Sequence, residues 1–497
     1  MSSLDTRLIP NDCWIRAADH LVRHAPSDLL PDFELDARCR QSLIEQLCEG
    51  GGAEHNSFCD WNALQVLIPR YWPAFREAHL LSPGVDLGTI AGAMWLGVGL
   101  DRFRLPKEDQ IVFSYRLDET GNSWFAPSLG WSQYQQHSLE CAQTSGHVLT
   151  ADISGFYSSI RPIHFAHVAG CIGSKMEEVT VLDGLVDRLV HKCWGMLVGG
   201  DAARMMAEWV MIPVDVEMQD AGLSFVRFVD DYRFFAQSRE DVERVLYDAT
   251  RILASHGFQW NKGKLKVWKV EDFIEREQFH SVVRISDGES GVEVSNNHFD
   301  PYSELVHHRA AELRKEMGVV SLSGALTKEL EKVRPSLSNV KVLLAAIPIS
   351  DRHEKKACLE LLSGSFISGW MVQVLPHVYR MLRKLEWLRD LDCRDSVCAG
   401  LESAMLSSQS KTPYELGFLI HCYRRISGGH LTHRLAKALG QIRSQSRDAF
   451  LLREVVYSLL LHEPTRSREY FAGWPIQSDW LQEFEGQWAR FGRYKLN

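Results

Sequence analysis

The sequence predicts an α+β protein in which a mixed module of helices and antiparallel strands precedes an all-helical C-terminal module. Three observations carry this. Apolar alternation of period two recurs between roughly 110 and 270, interleaved with helical spacing. Beyond about residue 300 only helical spacing remains, in short segments broken by Gly, Ser and Pro, as in stacked helical hairpins. The charge divides at the same place. The total of −9 is −16 over residues 1–300 and +7 over residues 301–497, so two different surfaces are summed in one average.

Composition excludes several classes. At 497 residues, 45% hydrophobic and 24% charged, the chain is neither wholly disordered, collagenous nor coiled-coil, and it is long enough to bury more than one core. Its longest apolar runs, such as 342–349, fall short of a membrane span. The eleven cysteines include no Cys-x-x-Cys pair. With no apolar run behind Arg7, they read as reduced thiols of a cytoplasmic protein without a membrane partner. A net charge of −9 would by itself argue against a nucleic-acid partner.

The elements follow in order. Residues 1–90 read as an N-terminal helical extension, with an amphipathic stretch at 42–48 ended by Gly50-Gly51-Gly52. Residues 91–300 form the mixed module. Strands are expected at 111–116 and 123–126 around a turn, at 147–153, and at 224–229 and 232–236 around Asp230-Asp231. A helix at 201–219 should be weakened near Pro213, and another at 241–256 stops at Gly257. Residues 301–497 supply helices only.

Three carboxylates stand out: Asp152 at a strand end, and Asp230 and Asp231 at the tip of a hairpin between Phe228-Val229 and Phe234-Phe235. Acids set among apolar strands need a partner. An oxygen-only donor set suits Mg²⁺, with Mn²⁺ able to substitute. Such a pair of ions would flank a phosphoryl centre.

These residues carry a resemblance. Asp152-Ile-Ser-Gly-Phe-Tyr resembles motif A of reverse transcriptases, and Phe228-Val-Asp-Asp their motif C. Gly195-Met-Leu-Val-Gly-Gly-Asp-Ala-Ala-Arg resembles motif B, and Gly257-Phe-Gln-Trp-Asn-Lys-Gly-Lys motif D. The resemblance implies a fingers-and-palm fold over 91–300, with the helical domain 301–497 replacing the usual thumb. It implies Asp152, Asp230 and Asp231 as ligands of two Mg²⁺, and Tyr157 under the incoming sugar with Phe156 packed beside it in the core. Gly199 and Gly200 would let backbone approach the nascent pair. Lys264 would be the proton donor to pyrophosphate, with a solvated surface lysine the competing reading. Arg204 either serves the nucleotide or pairs with Glu208 four residues on. Arg116 is the candidate triphosphate ligand, with Arg102, Arg104 and Lys107 as competitors. Motif B departs from the family, with Leu197 and Gly200 where prolines are usual and Ala203 for serine, which bears on template handling.

The long helical tail resembles that of abortive-infection and defence-associated bacterial reverse transcriptases. That implies a DNA polymerase of antiphage defence, oligomeric, using dNTPs and either an associated noncoding RNA or no template, its product DNA primed by nucleic acid or by a tyrosine. Tyr494 in the tail is the priming candidate, ahead of Tyr302, Tyr414 and Tyr470. Arg424, Arg425, Arg434, Lys437 and Arg443 form a basic cluster that would bind RNA or DNA, or be a solvated helix face. The alternatives are a catalytically limited defence factor that binds RNA or a phage protein, and a retron- or intron-type templated enzyme.

Overall fold

The computed structural model describes residues 4–23, 30, 38, 42, 63–69, 74–118, 124–126, 129–191, 194–286, 291–295, 320–333, 335–366, 369–383, 385, 394–407, 411–472, 484–486 and 488–489. The fold is α+β, as the mixed periods predict. The first part comprises α1 (Asn11–Arg23), β1 (Ala63–Pro69), β2 (Phe75–Leu81), α2 (Pro83–Leu100), α3 (Trp131–Gln143), β3 (His147–Asp152), α4 (Phe156–Ser159), α5 (Phe165–Ile172), α6 (Met176–Leu189), β4 (Val190–His191), β5 (Gly195–Met196), α7 (Asp201–Asp220), β6 (Phe225–Phe228), β7 (Asp231–Ala236), α8 (Arg239–Ser255), β8 (Lys266–Lys269), α9 (Val270–Ser281), β9 (Val282–Ser286) and β10 (Gly291–Ser295). No helix among the described residues is long and apolar enough to cross a membrane.

One antiparallel sheet, in the order β6-β7-β3-β8, organises this part. Asp231 lies opposite Asp152, and His147 opposite Ala236 on one side and Lys269 on the other. All four residues of β6 are buried, as are five of the six in β7. Helices α3, α5, α7 and α8 close a core around the sheet. The expected strand pair at 111–126 is reduced to isolated bridges, Val112 to Arg227 and Leu117 to Phe125. Helix α7 runs unbroken through Pro213. Buried Ile212 and Val214 flank the proline, and their packing offsets the missing amide bond.

Two expectations for residues 1–90 are corrected. Residues 63–81 are not helical. They form the β1–β2 hairpin, paired from Ala63–Leu81 to Pro69–Phe75. Leu64, Val66 and Ile68 point one way and are buried, while Leu67 on the other face is exposed. That period-two signal was present in the sequence. The expected boundary at residue 90 falls inside α2, which is buried along nearly its whole length. The amphipathic stretch at 42–48 lies largely outside the described residues.

The helical part continues with α10 (Leu322–Leu330), α11 (Leu337–Ala346), α12 (Arg352–Ser365), α13 (Leu375–Arg383), α14 (Arg394–Leu406), α15 (Pro413–Ser427), α16 (His433–Gln445), α17 (Ala449–His462) and α18 (Ser467–Phe471). Their starts are legible as caps: the side chains of Ser321, Ser336, Asp351, Thr412, Thr432 and Asp448 each accept an amide three residues on. Helices alternate between two layers. In one, α10, α12, α14 and α16 pack in succession, and in the other α11, α13, α15 and α17 do. This is a repeat architecture in space without a fixed repeat length in sequence. The second layer also meets the hairpins: α15 and α17 touch β1, and α11 touches β9. The inward side chains of β1 and β2 therefore belong to the helical core.

Between α15 and α17 lies a fully buried ionic cluster. Glu454 accepts Arg424 Nη2 at 2.8 Å and Arg453 Nη2 at 2.8 Å, and Arg424 Nη2 also meets His421 Nδ1 at 2.8 Å. Burial alone would raise the Glu454 carboxyl, but the two guanidinium groups hold it well below its ordinary range. Replacing Glu454 with Gln leaves two buried cations without their anion. Chemical denaturation should show a loss of about 3–5 kcal/mol.

Candidate metal centre

The three predicted carboxylates converge. Asp152 ends β3, and the β6–β7 turn consists of Val229 and Asp230, with Asp231 opening β7. One carboxylate oxygen from each lies within 4.8 Å of the others. Asp152 is buried and the other two are half-buried. The amide of Ile153 donates to the carbonyl of Asp230 at 3.0 Å, which ties the strand end to the turn.

The turn is held from beneath. Arg227 sits mid-strand in β6 with no solvent exposure. Its guanidinium donates to Asp215 at 2.8 and 2.5 Å and to Glu208 at 3.2 and 2.9 Å. Arg104 reaches the same Glu208 at 3.0 Å, so two cations balance two anions. Arg227 Nη1 also donates to the Val229 carbonyl at 2.8 Å, while the Val229 amide donates to Ser114 Oγ at 3.1 Å, itself bonded to Glu208. Both backbone groups of Val229 are thereby fixed. This matters because Val229 has φ of 56°, a left-handed conformation that costs a β-branched residue about 1–3 kcal/mol.

Asp152 is gripped on both oxygens. Lys264 Nζ donates to Oδ1 at 2.6 Å and Asn261 Nδ2 to Oδ2 at 3.2 Å, while the Asn261 amide bonds the Asp152 carbonyl at 2.7 Å. Burial opposes the Lys264 charge, but the Asp152 carboxylate outweighs it and raises the ammonium pKa. Among the described residues no cation is hydrogen-bonded to the carboxylates of the other two acids. Burial and the neighbouring Asp152 raise Asp230 from 3.8 to about 6, and burial with Asp230 and Asp152 raises Asp231 to about 7. Three converging carboxyl groups opposed by one ammonium fit a divalent cation.

The other predicted residues divide. Phe156 is core, packed on Phe258 and Tyr157, so it is not a nucleotide contact. Tyr157 is half-buried on α4, five residues after Asp152. Gly199 and Gly200 have φ of 128° and 78°. A Cβ on Gly199 would lie 2.7 Å from the His79 carbonyl, so the close approach there is to β2. The His79 amide donates to the Val198 carbonyl at 2.7 Å, and the Val198 amide to His79 Nδ1 at 3.2 Å.

Several assignments are corrected. Arg204 does not pair with Glu208. It pairs with Asp201 at 2.8 Å, which also meets His20 of α1 at 2.7 Å. Arg116 is buried and donates to the Leu105 carbonyl at 2.6 Å. Burial with nearby Arg104 lowers its pKa to about 10. It is committed to the scaffold, as is its competitor Arg104. Arg424 is spent on Glu454, and Arg443 bonds the carbonyls of Tyr470 and Ala472, each at 3.1 Å. Arg425 is half-buried, and only Arg434 and Lys437 of the five are exposed. Tyr494 and Tyr302 lie outside the described residues. Tyr414 is buried in the helical core, and the Tyr470 hydroxyl donates to Glu463 at 2.8 Å.

Sequence reasoning missed four residues. Arg227 was legible as an arginine inside an apolar strand, which demands a buried anion. Asn261 opens the turn Asn-Lys-Gly-Lys, a position where Asn side chains organise backbone. Ser114 carried no signal. Arg76 on β2 acts electrostatically on Asp230, and only the unexpected hairpin brings it there.

Comparison with known proteins adds no relative: no family model matches the chain, and no curated protein matches it. Fold and site together define a mixed α+β protein whose three converging aspartates can hold a metal ion.

The raised acids set a pH dependence. Without metal, protons bind Asp230 and Asp231 more tightly in the folded state than in the unfolded one. Their contribution to stability is therefore full below about pH 4 and is lost as pH rises through about 6 to 7. Asp230→Asn/Asp231→Asn in chelator should melt higher than the wild type at pH 8, with the gap closing towards pH 4 (both pH values chosen roughly to bracket the shifts). Thermal melts across that range check it.

Proposed function

We propose that this chain is a nucleotidyltransferase of the reverse-transcriptase type. The observation that carries the proposal is the meeting of Asp152, at a strand end, with Asp230 and Asp231, at a hairpin tip, within 4.8 Å. Their chain order agrees with the motif resemblance, and the antiparallel order β6-β7-β3 sets the hairpin that carries Asp230 and Asp231 beside the strand that ends at Asp152.

In this reading a 3′-hydroxyl, or a tyrosine hydroxyl in the first cycle, attacks the α-phosphorus of a dNTP, and the bond to the β-phosphate breaks. When bound, two Mg²⁺ ions (or Mn²⁺) would supply Lewis-acid stabilisation of the attacking and leaving oxygens. Asp152, Asp230 and Asp231 would hold them. Lys264, 2.6 Å from Asp152, would by its position be the proton donor to the departing pyrophosphate. Arg76 of β2, which acts electrostatically on Asp230, would take the place of Arg116 as a cation for the triphosphate, with the exposed Arg102 its competitor. Tyr157, half-buried and five residues after Asp152, would be the ring that excludes a 2′-hydroxyl. The tie between His79 and Val198 holds the motif B loop to β2, which suits limited or repetitive templating.

The antiphage role, an associated noncoding RNA and an oligomeric state extend this reading through the layout alone, a palm followed by two layers of helices. Asp230→Ala/Asp231→Ala should reduce incorporation of labelled dNTP to background while retaining a cooperative melt. Undiminished incorporation would refute the assignment. Arg76→Ala should raise KM for dNTP about tenfold, the equivalent of about 1.4 kcal/mol for one charge-assisted contact, with kcat little changed in steady-state assays.

A further inference from the structure

Several cations on the described surface are committed to nearby carboxylates: Lys175 pairs with Glu178, Lys332 with Glu329, Arg244 with Asp241, and Arg466 with both Glu463 and Glu469. The edge strand β8 and the turn before it, next to the three aspartates, carry a run that is not. Lys262, Lys266 and Lys269 are all exposed, and among the described residues none of them has a carboxylate partner. Glu271, Asp272 and Glu275 follow on α9 without pairing to them.

Their place in the fold gives the run a direction. Among the described residues β8 is the outer strand of the sheet, paired only with β3. Its register sets Lys266 opposite Thr150 and Lys269 opposite His147, so the lysines recede along β3 from its catalytic end. The fourth member, Lys264, is already on Asp152 at 2.6 Å. Between them Trp268 is half-buried, flanked by the Arg276 guanidinium 4.6 Å from its ring centroid and by Lys266 at 5.7 Å. At about 3.3 Å per residue Lys266 and Lys269 stand about 10 Å apart, on opposite faces of the edge strand, so a phosphate backbone that meets both runs along the edge itself.

We propose that the β8 edge is a track for the phosphodiester backbone of a single nucleic-acid strand, DNA or RNA, running from the Asp152–Asp230–Asp231 centre along Lys266 and Lys269. The inference rests on the polymerase reading, which is what brings such a strand to that centre. It moves the nucleic-acid surface from the helical domain, where Arg424 and Arg443 are consumed internally, to the palm edge. Exposed lysines on an edge strand also have a plain alternative, the blocking of strand-to-strand aggregation.

The test uses the intact protein, a labelled oligodeoxythymidine and the matching oligouridine, with anisotropy titrations between about 50 and about 200 mM salt. Lys262→Gln/Lys266→Gln/Lys269→Gln should lower the slope of log affinity against log salt by about 2, at about 0.7 per charge on a single strand, and each single variant by about 0.7. An unchanged slope in the folded variants overturns the track. So does aggregation without loss of affinity, or a slope that falls only in Arg434→Gln/Lys437→Gln. Asp230→Asn/Asp231→Asn separates the two claims, since it should retain the slope and lose incorporation. Incorporation by the wild type with a slope indifferent to the lysines sinks the track alone. A lysine-dependent slope without incorporation sinks the polymerase reading and leaves the track standing.

Discussion

The buried contact of Arg227 with Glu208 and Asp215 is the constraint on which the rest of the site depends. A fully desolvated guanidinium is costly unless its donors are satisfied by charge, and here five hydrogen bonds satisfy it. One of those bonds leaves the ion pairs and grips the carbonyl of Val229. The network thereby spends part of its interaction energy on holding a valine in a conformation that valine resists. That strained residue aims Asp230 and Asp231 at Asp152. Replacing the ions with apolar side chains of like volume is often neutral for stability elsewhere, but here it would release the turn. The polar core is thus a positioning device as much as a stabilising one.

A second constraint links the two cores. The inward face of β1 and β2 packs with the C-terminal helices, while His79 of β2 bonds both backbone groups of Val198 beside the glycines of the candidate motif B. One hairpin therefore contacts the helical layers and the loop at Val198 to Gly200. Its position also explains why Gly199 must be glycine, since a Cβ would meet the His79 carbonyl. The same hairpin carries Arg76 towards Asp230, so the N-terminal region contributes to the centre.

Some of this was legible in the sequence. Asp152, Asp230 and Asp231 were readable because local pattern alone puts them at a strand end and a turn, and apolar neighbours make bare acids expensive there. The caps of α10 to α12 and of α15 to α17 were readable for the same reason, each being a matter of three residues. What failed to show was whatever depends on distant partners. Arg116 and Arg424 have the chemistry of phosphate ligands, but burial against the Leu105 carbonyl and Glu454 consumes them, and helical spacing does not reveal that a helix such as α15 is covered on several sides. Pro213 was overruled by tertiary packing. The hairpin at 63–81 did leave a signal in the alternation of Leu64, Val66 and Ile68.

The central claim is that the three aspartates form a divalent-cation site, and calorimetric titration of the chelator-treated protein with Mn²⁺ or Mg²⁺ tests it most directly. The account predicts saturable binding by the wild type near neutral pH that strengthens as pH rises through about 6 to 7, where Asp230 and Asp231 ionise, and that is abolished in a folded Asp231→Asn variant. Equal binding by wild type and variant, or none by the wild type, would contradict it.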